Sequence, residues 1–199
     1  MTEEPQLLIK LRERSPAAFQ QLFSAYSDKI YRLAVSILEN EDDAEDIVQE
    51  VFTRFFENLD RFEGRSKIGT WLYRVAYNAS IDRLRKYRSR PVAELDISFE
   101  DEIPLPDELS DWSESAETVF DQQEIRQKLE DTIQSLPETL RVVFLLRDVE
   151  ELSTLDTANI LEITPGAVKV RLHRARLLLR DTLSGIFEGA EQRNKFYGM

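Results

Sequence analysis

The 199-residue chain has no cysteine and a single histidine, His173. The first absence removes disulfides, thiolate zinc sites and thiol catalysis, and suits a reducing cytosol. The second leaves no partner for a histidine-based metal site or a catalytic triad, so neither metal nor cofactor is expected. Also missing is any apolar run approaching the roughly 18 residues that a membrane span needs. The opening MTEEPQLLIK begins acidic and lacks the basic start and apolar core of a secretory signal, which points to a cytoplasmic protein. What remains, 42% hydrophobic and 32% charged residues, reads as soluble and globular. The length suits one large domain or two small ones.

The formal charge of −12 argues at first against a polyanionic partner, but its distribution reverses that reading. Between Pro91 and Glu124 there are twelve acids and no Lys or Arg, so the excess resides in one segment. Arg61 to Arg90, RFEGRSKIGTWLYRVAYNASIDRLRKYRSR, carries nine cations against Glu63 and Asp82, with Phe62, Trp71, Tyr73, Tyr77 and Tyr87 among them. Residues 165–180 add Lys169, Arg171, Arg174, Arg176 and Arg180 with no acid. Segregation of this kind is an electrostatic footprint that the whole-chain average conceals. Cations track phosphates and aromatic faces stack on unpaired bases. The plainer reading of 61–90 is an amphipathic helix with core aromatics and solvated charges.

Apolar periodicity predicts helices throughout. A short one spans Glu3 to Arg12. Ser15-Pro16 starts a second, which runs to Glu39-Asn40. A third begins at Asp42 or Asp43, where acids suit the helix dipole, and ends near Leu59. Its core face is Ile47, Val48, Val51, Phe52, Phe55, Phe56 and Leu59, and its opposite side is acidic. Gly64 and Gly69 bracket a loop, and Thr70 is placed to cap a fourth helix, Trp71 to Arg88. Tyr73, Tyr77 and Leu84 share one face of that helix, which marks Tyr73 as core. Pro91 ends this four-helix bundle. Residues 91–118, with three prolines and most of the acids, read as an irregular tether in which Phe99, Leu105, Leu109 and Trp112 are candidates for docking.

Helical pattern returns from about Ala116, with Val119, Phe120, Ile125, Leu129 and Ile133 along one face. Ser135 is expected to cap a helix from Glu138 to Asp148. Ser153 or Thr154 caps a short one ending at Leu161. Thr164 and Pro165 then start a long last helix. Two short helices, a tight turn and a basic final helix form a helix-turn-helix pattern. Val168, Leu172, Ala175 and Leu179 make its buried stripe, which leaves Lys169, Val170, His173, Arg174 and Arg176 around the remaining surface. Its cations begin in the first turns, where the dipole alone disfavours them, so a polyanionic partner is favoured over an ordinary basic helix.

Four stretches carry a resemblance. They are Ala18-Phe19 through Tyr31-Arg32-Leu33-Ala34; Asp43-Ala-Glu-Asp-Ile-Val-Gln-Glu-Val-Phe52; Thr70-Trp-Leu-Tyr-Arg-Val-Ala-Tyr-Asn78 with Asp82-Arg83; and Pro165-Gly-Ala-Val-Lys-Val-Arg-Leu-His-Arg-Ala-Arg176. In order and spacing the chain resembles a bacterial RNA polymerase sigma factor of the extracytoplasmic-function (ECF) group. The resemblance implies an all-α, non-enzymatic protein with sigma domain 2 at 1–90, an acidic linker at 91–118, sigma domain 4 at 119–183 and a tail at 184–199.

It also implies partners and sites. Asp46, Gln49 and Glu50 correspond to the surface that grips the beta-prime clamp helices of core RNA polymerase, and domain 4 faces the beta flap. The Gly64–Gly69 loop with Arg65, Lys67, Trp71, Asn78, Arg83 and Lys86 corresponds to the element that opens and holds the promoter −10 region. Lys169, Val170, His173 and Arg174 correspond to base-facing positions of the −35 reader, and Arg171 and Arg176 to backbone-contacting ones. The linker resembles one that threads toward the polymerase active-site region, and an anti-sigma factor is an implied regulator.

Departures from the family pattern are Glu162 in place of the turn glycine, apolar Ala167 and Val170, and a Leu155–Ala158 segment without its acidic pair. The glutamate is expected either to strain the turn or to change it, at a cost of about 1 kcal/mol. The tail 184–199 has no counterpart in short members and either docks or is disordered. Two rivals were open on residues alone: a conventional helix-turn-helix regulator acting without polymerase, and a metal-dependent nucleic-acid enzyme using Asp42, Asp43, Asp46 and Glu50.

Overall fold

The computed structural model describes residues 3–64, 66–87 and 122–197. Arg65, the acidic linker 91–118 with its docking candidates Phe99, Leu105, Leu109 and Trp112, Val119 and Phe120 lie outside the described residues, as does the side chain of Ile125. Every regular element among the described residues is helical. They are α1 (Glu3–Arg12), α2 (Pro16–Leu38), α3 (Glu41–Asn58) with a 3-10 turn at Leu59–Arg61, and α4 (Ile68–Tyr87). After the linker come α5 (Gln122–Gln134), α6 (Glu138–Phe144) with a π turn at Leu145–Val149, α7 (Thr154–Leu161) and α8 (Pro165–Tyr197).

In the first group, α2, α3 and α4 pack against one another and α1 lies on α2. Ser15 takes the extended backbone that precedes α2 and Pro16 is the first helical residue, although the serine side chain makes no capping bond. Glu39 ends α2 in the left-handed region, φ 53° and ψ 29°. The Asn40 side chain then accepts the Asp43 N–H at 3.0 Å, so α3 starts at Glu41, slightly earlier than the acid pattern predicted. Of the predicted core face of α3, all but Phe56 are buried, and Phe56 packs against the same core. A fully buried aromatic such as Phe55 contributes about 3–5 kcal/mol by the cost of its removal to alanine.

The start of α4 differs from the sequence expectation. The helix begins at Ile68, and Thr70 is buried inside its first turn instead of capping it. The Glu4 carboxylate of α1 accepts the Ile68 N–H and supplies the acceptor that a cap would have provided. Gly69 therefore belongs to the helix, not the loop, and a Cβ there would lie 2.8 Å from the Tyr26 hydroxyl.

In the second group, α8 packs on α5, α6 and α7. Ser135 does not cap α6: its hydroxyl donates back to the Thr132 carbonyl at 2.7 Å, and Pro137 takes the cap position. The helix expected to reach Asp148 is α-helical only to Phe144, after which the chain widens into the π turn. Ser153 and Thr164 cap α7 and α8 as expected, accepting from Asp156 N–H at 3.0 Å and Ala167 N–H at 3.1 Å. Val168, Leu172, Ala175 and Leu179 are all buried. The backbone of α8 continues through Tyr197 into the tail.

The two groups touch. α6 lies against α2, and α7 against α4. Buried apolar residues of α2–α4 run without a break into Val142, Val143, Leu146, Ala158, Ile160, Val168 and Leu172.

Candidate nucleic-acid and protein interfaces

The exposed side of α4 and the end of α3 enclose a notch of about 590 Å³. Its apolar lining is Phe55, Phe62, Trp71 and Val75, and its polar lining is Arg54, Asn58, Arg61, Glu63 and Ser66, with Gly64 beside them. Phe55 orders the apolar lining, with ring centres 5.5 Å from Trp71 and 5.9 Å from Phe62, both edge to face. Arg12 of α1 donates to the Phe62 carbonyl at 2.6 Å and holds that part of the lining in place. Gly64, at φ 71°, makes the left-handed turn that the loop needs. An aromatic slot edged by guanidinium groups suits a flat, uncharged ring attached to a phosphate.

Of the residues expected at the −10 element, Trp71 lines this notch, and Asn78 is exposed further along the same side of α4. Lys67 and Lys86 are exposed, and Arg65 is outside the described residues. Arg83 is committed elsewhere: its guanidinium reaches Asp43 at 3.1 Å and Asp46 at 3.0 Å, joining α4 to α3. Those hydrogen bonds outweigh the opposing effect of burial and push its pKa up. Tyr87 donates to the same Asp43 at 3.1 Å, which raises the phenol. Tyr73 is buried at 2% exposure, as its spacing predicted. Arg54 and Asn58 were missed; with Arg61 they fall at spacings of 4 and 3, a stripe that could have found them.

On the acidic face of α3, Asp46 and Gln49 are exposed and Glu50 is half-buried in a pair with Arg54 one turn on. Among the described residues no group of three or more His, Asp or Glu side chains is placed to hold a metal ion. None of the described helices is long and apolar enough to cross a membrane.

Along α8, Lys169 is exposed and Val170, Arg171, His173 and Arg174 are half-buried. Arg176 makes a two-point pair with Asp148 of the π turn, at 2.8 and 2.6 Å, which raises its pKa. Glu162 occupies the left-handed region at φ 56°, so the turn keeps the geometry that glycine would supply. Beside α8 lies an apolar groove of about 360 Å³, lined by Leu129, Phe144, Leu177, Leu179 and Leu183 and edged by His173 and the Asp148–Arg176 pair. Sequence reasoning missed it, because the groove forms only where α5, α6 and α8 converge.

A compact helical bundle with an aromatic notch, joined to a capped helix-turn-helix, defines a two-part nucleic-acid-binding protein. Residues 22–90 match the family model for Sigma-70 region 2, and residues 126–179 match that for Sigma-70 region 4. The chain is 35% identical over 166 residues to the ECF RNA polymerase sigma factor SigW of Bacillus subtilis, covering 83% of this chain and 89% of that protein. It is 33% identical over 189 residues to the RNA polymerase sigma-H factor of Pseudomonas aeruginosa, covering 94% and 97%. Its fold is similar to CnrH, solved in complex with the cytosolic domain of CnrY, with TM-score 0.59 and 23% identity over 92% of this chain and 97% of that one. It is also similar to RpoE of Bartonella quintana, solved with the anti-sigma factor NepR, with TM-score 0.56 and 23% identity over 83% and 96%. The chain belongs to the ECF group of RNA polymerase sigma factors, the non-enzymatic subunits that direct transcription initiation.

Proposed function

We propose that this sigma factor divides promoter reading between its two halves. On α8, Lys169, Val170, His173 and Arg174 read −35 duplex, with Arg171 and Arg176 toward the backbone. The notch beside Trp71 holds a base of the melted −10 strand, while Arg65, Lys67, Asn78 and Lys86 contact that strand. Arg83 acts through α3, keeping the basic helix in register. Asp46, Gln49 and Glu50 face the beta-prime clamp helices of core polymerase, and the α5–α6–α8 groove receives the beta flap. The acidic linker runs toward the polymerase active-site region. An anti-sigma protein controls the chain, as NepR binds the sigma factor RpoE in its solved complex and the cytosolic domain of CnrY binds CnrH. The protein works in the cytoplasm.

The observation that carries this reading is the notch itself. Extruding a base from duplex costs a few kcal/mol, and stacking on an aromatic returns about 1–3 kcal/mol. An apolar slot with cations in its lining is suited to supply that return at a single position. Trp71→Ala should weaken binding of a −10 non-template oligonucleotide by roughly 10- to 100-fold and leave −35 duplex binding within about twofold. Arg174→Ala should do the reverse, at a cost of about 1–3 kcal/mol. Equal loss of both activities in each variant, measured by fluorescence anisotropy, contradicts the division.

A further inference from the structure

We propose that Glu150 is a latch that holds the two halves of the free chain in a closed form. Glu150 follows the π turn on the second group of helices, and its side chain is 5% exposed. All three of its side-chain partners belong to the first group. Arg32 of α2 donates at 2.8 Å, Lys29 of α2 pairs at 3.0 Å, and the Tyr73 hydroxyl of α4 donates at 2.7 Å. Burial alone would raise the Glu150 pKa, but the bonds from Arg32, Tyr73 and Lys29 bring it below the ordinary value. Tyr73 is driven the other way, first by burial and then by its bond to the carboxylate. Supporting contacts surround the latch: Arg141 with Glu39 at 3.0 Å, and Arg74 with the Asn159 carbonyl at 3.1 Å. These partners reach the carboxylate only while the halves are together, and on opening water must take their place.

Closure has a functional consequence that rests on the promoter-reading proposal above. Elements named for positions 35 and 10 lie about 25 base pairs apart, about 85 Å of duplex at about 3.4 Å per pair. With α7 packed on α4, the two readers sit in one packed body, and a compact chain of this length has a radius of gyration of about 16 Å, well short of that span. The 34 residues between Tyr87 and Gln122 can reach about 110 Å when extended, so the chain can open far enough. α4 is two-sided in the closed form. Thr70, Tyr73 and Arg74 face the second group, whereas Trp71 and Val75 face the notch, which stays open. Binding that needs both halves is therefore reduced by the fraction of chains that are open, and breaking the latch removes that reduction.

Because the chain has no cysteine, Cys introduced at Glu57 and Thr182 can carry a spin-label pair on otherwise native protein. The latched chain should give one narrow distance distribution. Glu150→Lys, and independently Arg32→Glu on the exposed side of α2, should shift it to long and broad distances while helicity by circular dichroism is unchanged. Apparent affinity for core polymerase should then tighten by the reciprocal of the native open fraction. A native distribution that is already broad, or two variants indistinguishable from it, overturns the latch. Opened distances with no gain in polymerase affinity uphold the latch and overturn the two-handed polymerase reading instead.

Discussion

Arg83 shows how one residue can look alike for two different roles. Its position in a basic helix matches a DNA-contacting cation, while its guanidinium is occupied by Asp43 and Asp46. Removing it should therefore act on the fold. Arg83→Ala is expected to lower stability by about 1 kcal/mol in urea unfolding, as for loss of a partly exposed charged hydrogen bond. A direct DNA role would instead weaken −10 binding with the unfolding midpoint unchanged. Glu162 makes a complementary case, since of the two outcomes open at its place in the turn, strain or a changed turn, the structure has the left-handed one at φ 56°. Glu162→Gly should raise stability by about 1 kcal/mol, or about 2–4 °C in melting temperature for a chain of this size. No gain would mean that the glutamate side chain offsets the backbone strain. Tyr73 was legible, through its spacing with Tyr77 and Leu84. Thr70 was not: the cap is supplied by Glu4, 64 residues before Ile68 whose N–H it accepts, and local spacing cannot report such a partner.

At the scale of elements, what the sequence revealed and what it hid divide by range of interaction. Caps at Ser153 and Thr164 and the buried stripe of α8 depend on neighbours within one or two turns, and they appear as expected. The π turn at Leu145–Val149 depends on partners elsewhere, and LLRDV alone reads as ordinary helix. Asp148 pairs with Arg176 of α8, and Glu150, one residue past the turn, reaches α2 and α4. The notch was half legible for the same reason. Its α4 side and its loop were found, whereas Arg54 and Asn58 at the end of α3 enter it only through packing. Lys67 and Lys86, if they follow phosphates, should each contribute about one counterion. Lys86→Ala is expected to reduce the salt slope of −10 strand binding by about 0.7, measured from 50 to 200 mM salt. An unchanged slope places Lys86 off the strand.

At the scale of the whole molecule, the all-α class and the two-part family were readable because charge segregation and four stretches of motif survive in linear order. The association of the halves was not. Lys29, Arg32 and Glu150 are unremarkable charges in the sequence, and nothing in their spacing pairs residues 118 apart. That association carries a pH signature. The Glu150 pKa is depressed in the closed form, so the carboxylate's contribution is full above the ordinary carboxylate range. It is lost as pH falls through the lowered value. Spin-label distances should therefore lengthen on acidification in the native chain, and Glu150→Gln should lack that component of the titration. The assignment of function rests most directly on transcription. Run-off assays with core polymerase on a promoter library should yield discrete transcripts only when this protein is added, with shared −35 and −10 sequences among the active templates. Competent core that gives no promoter-specific transcript with the protein present would contradict the account.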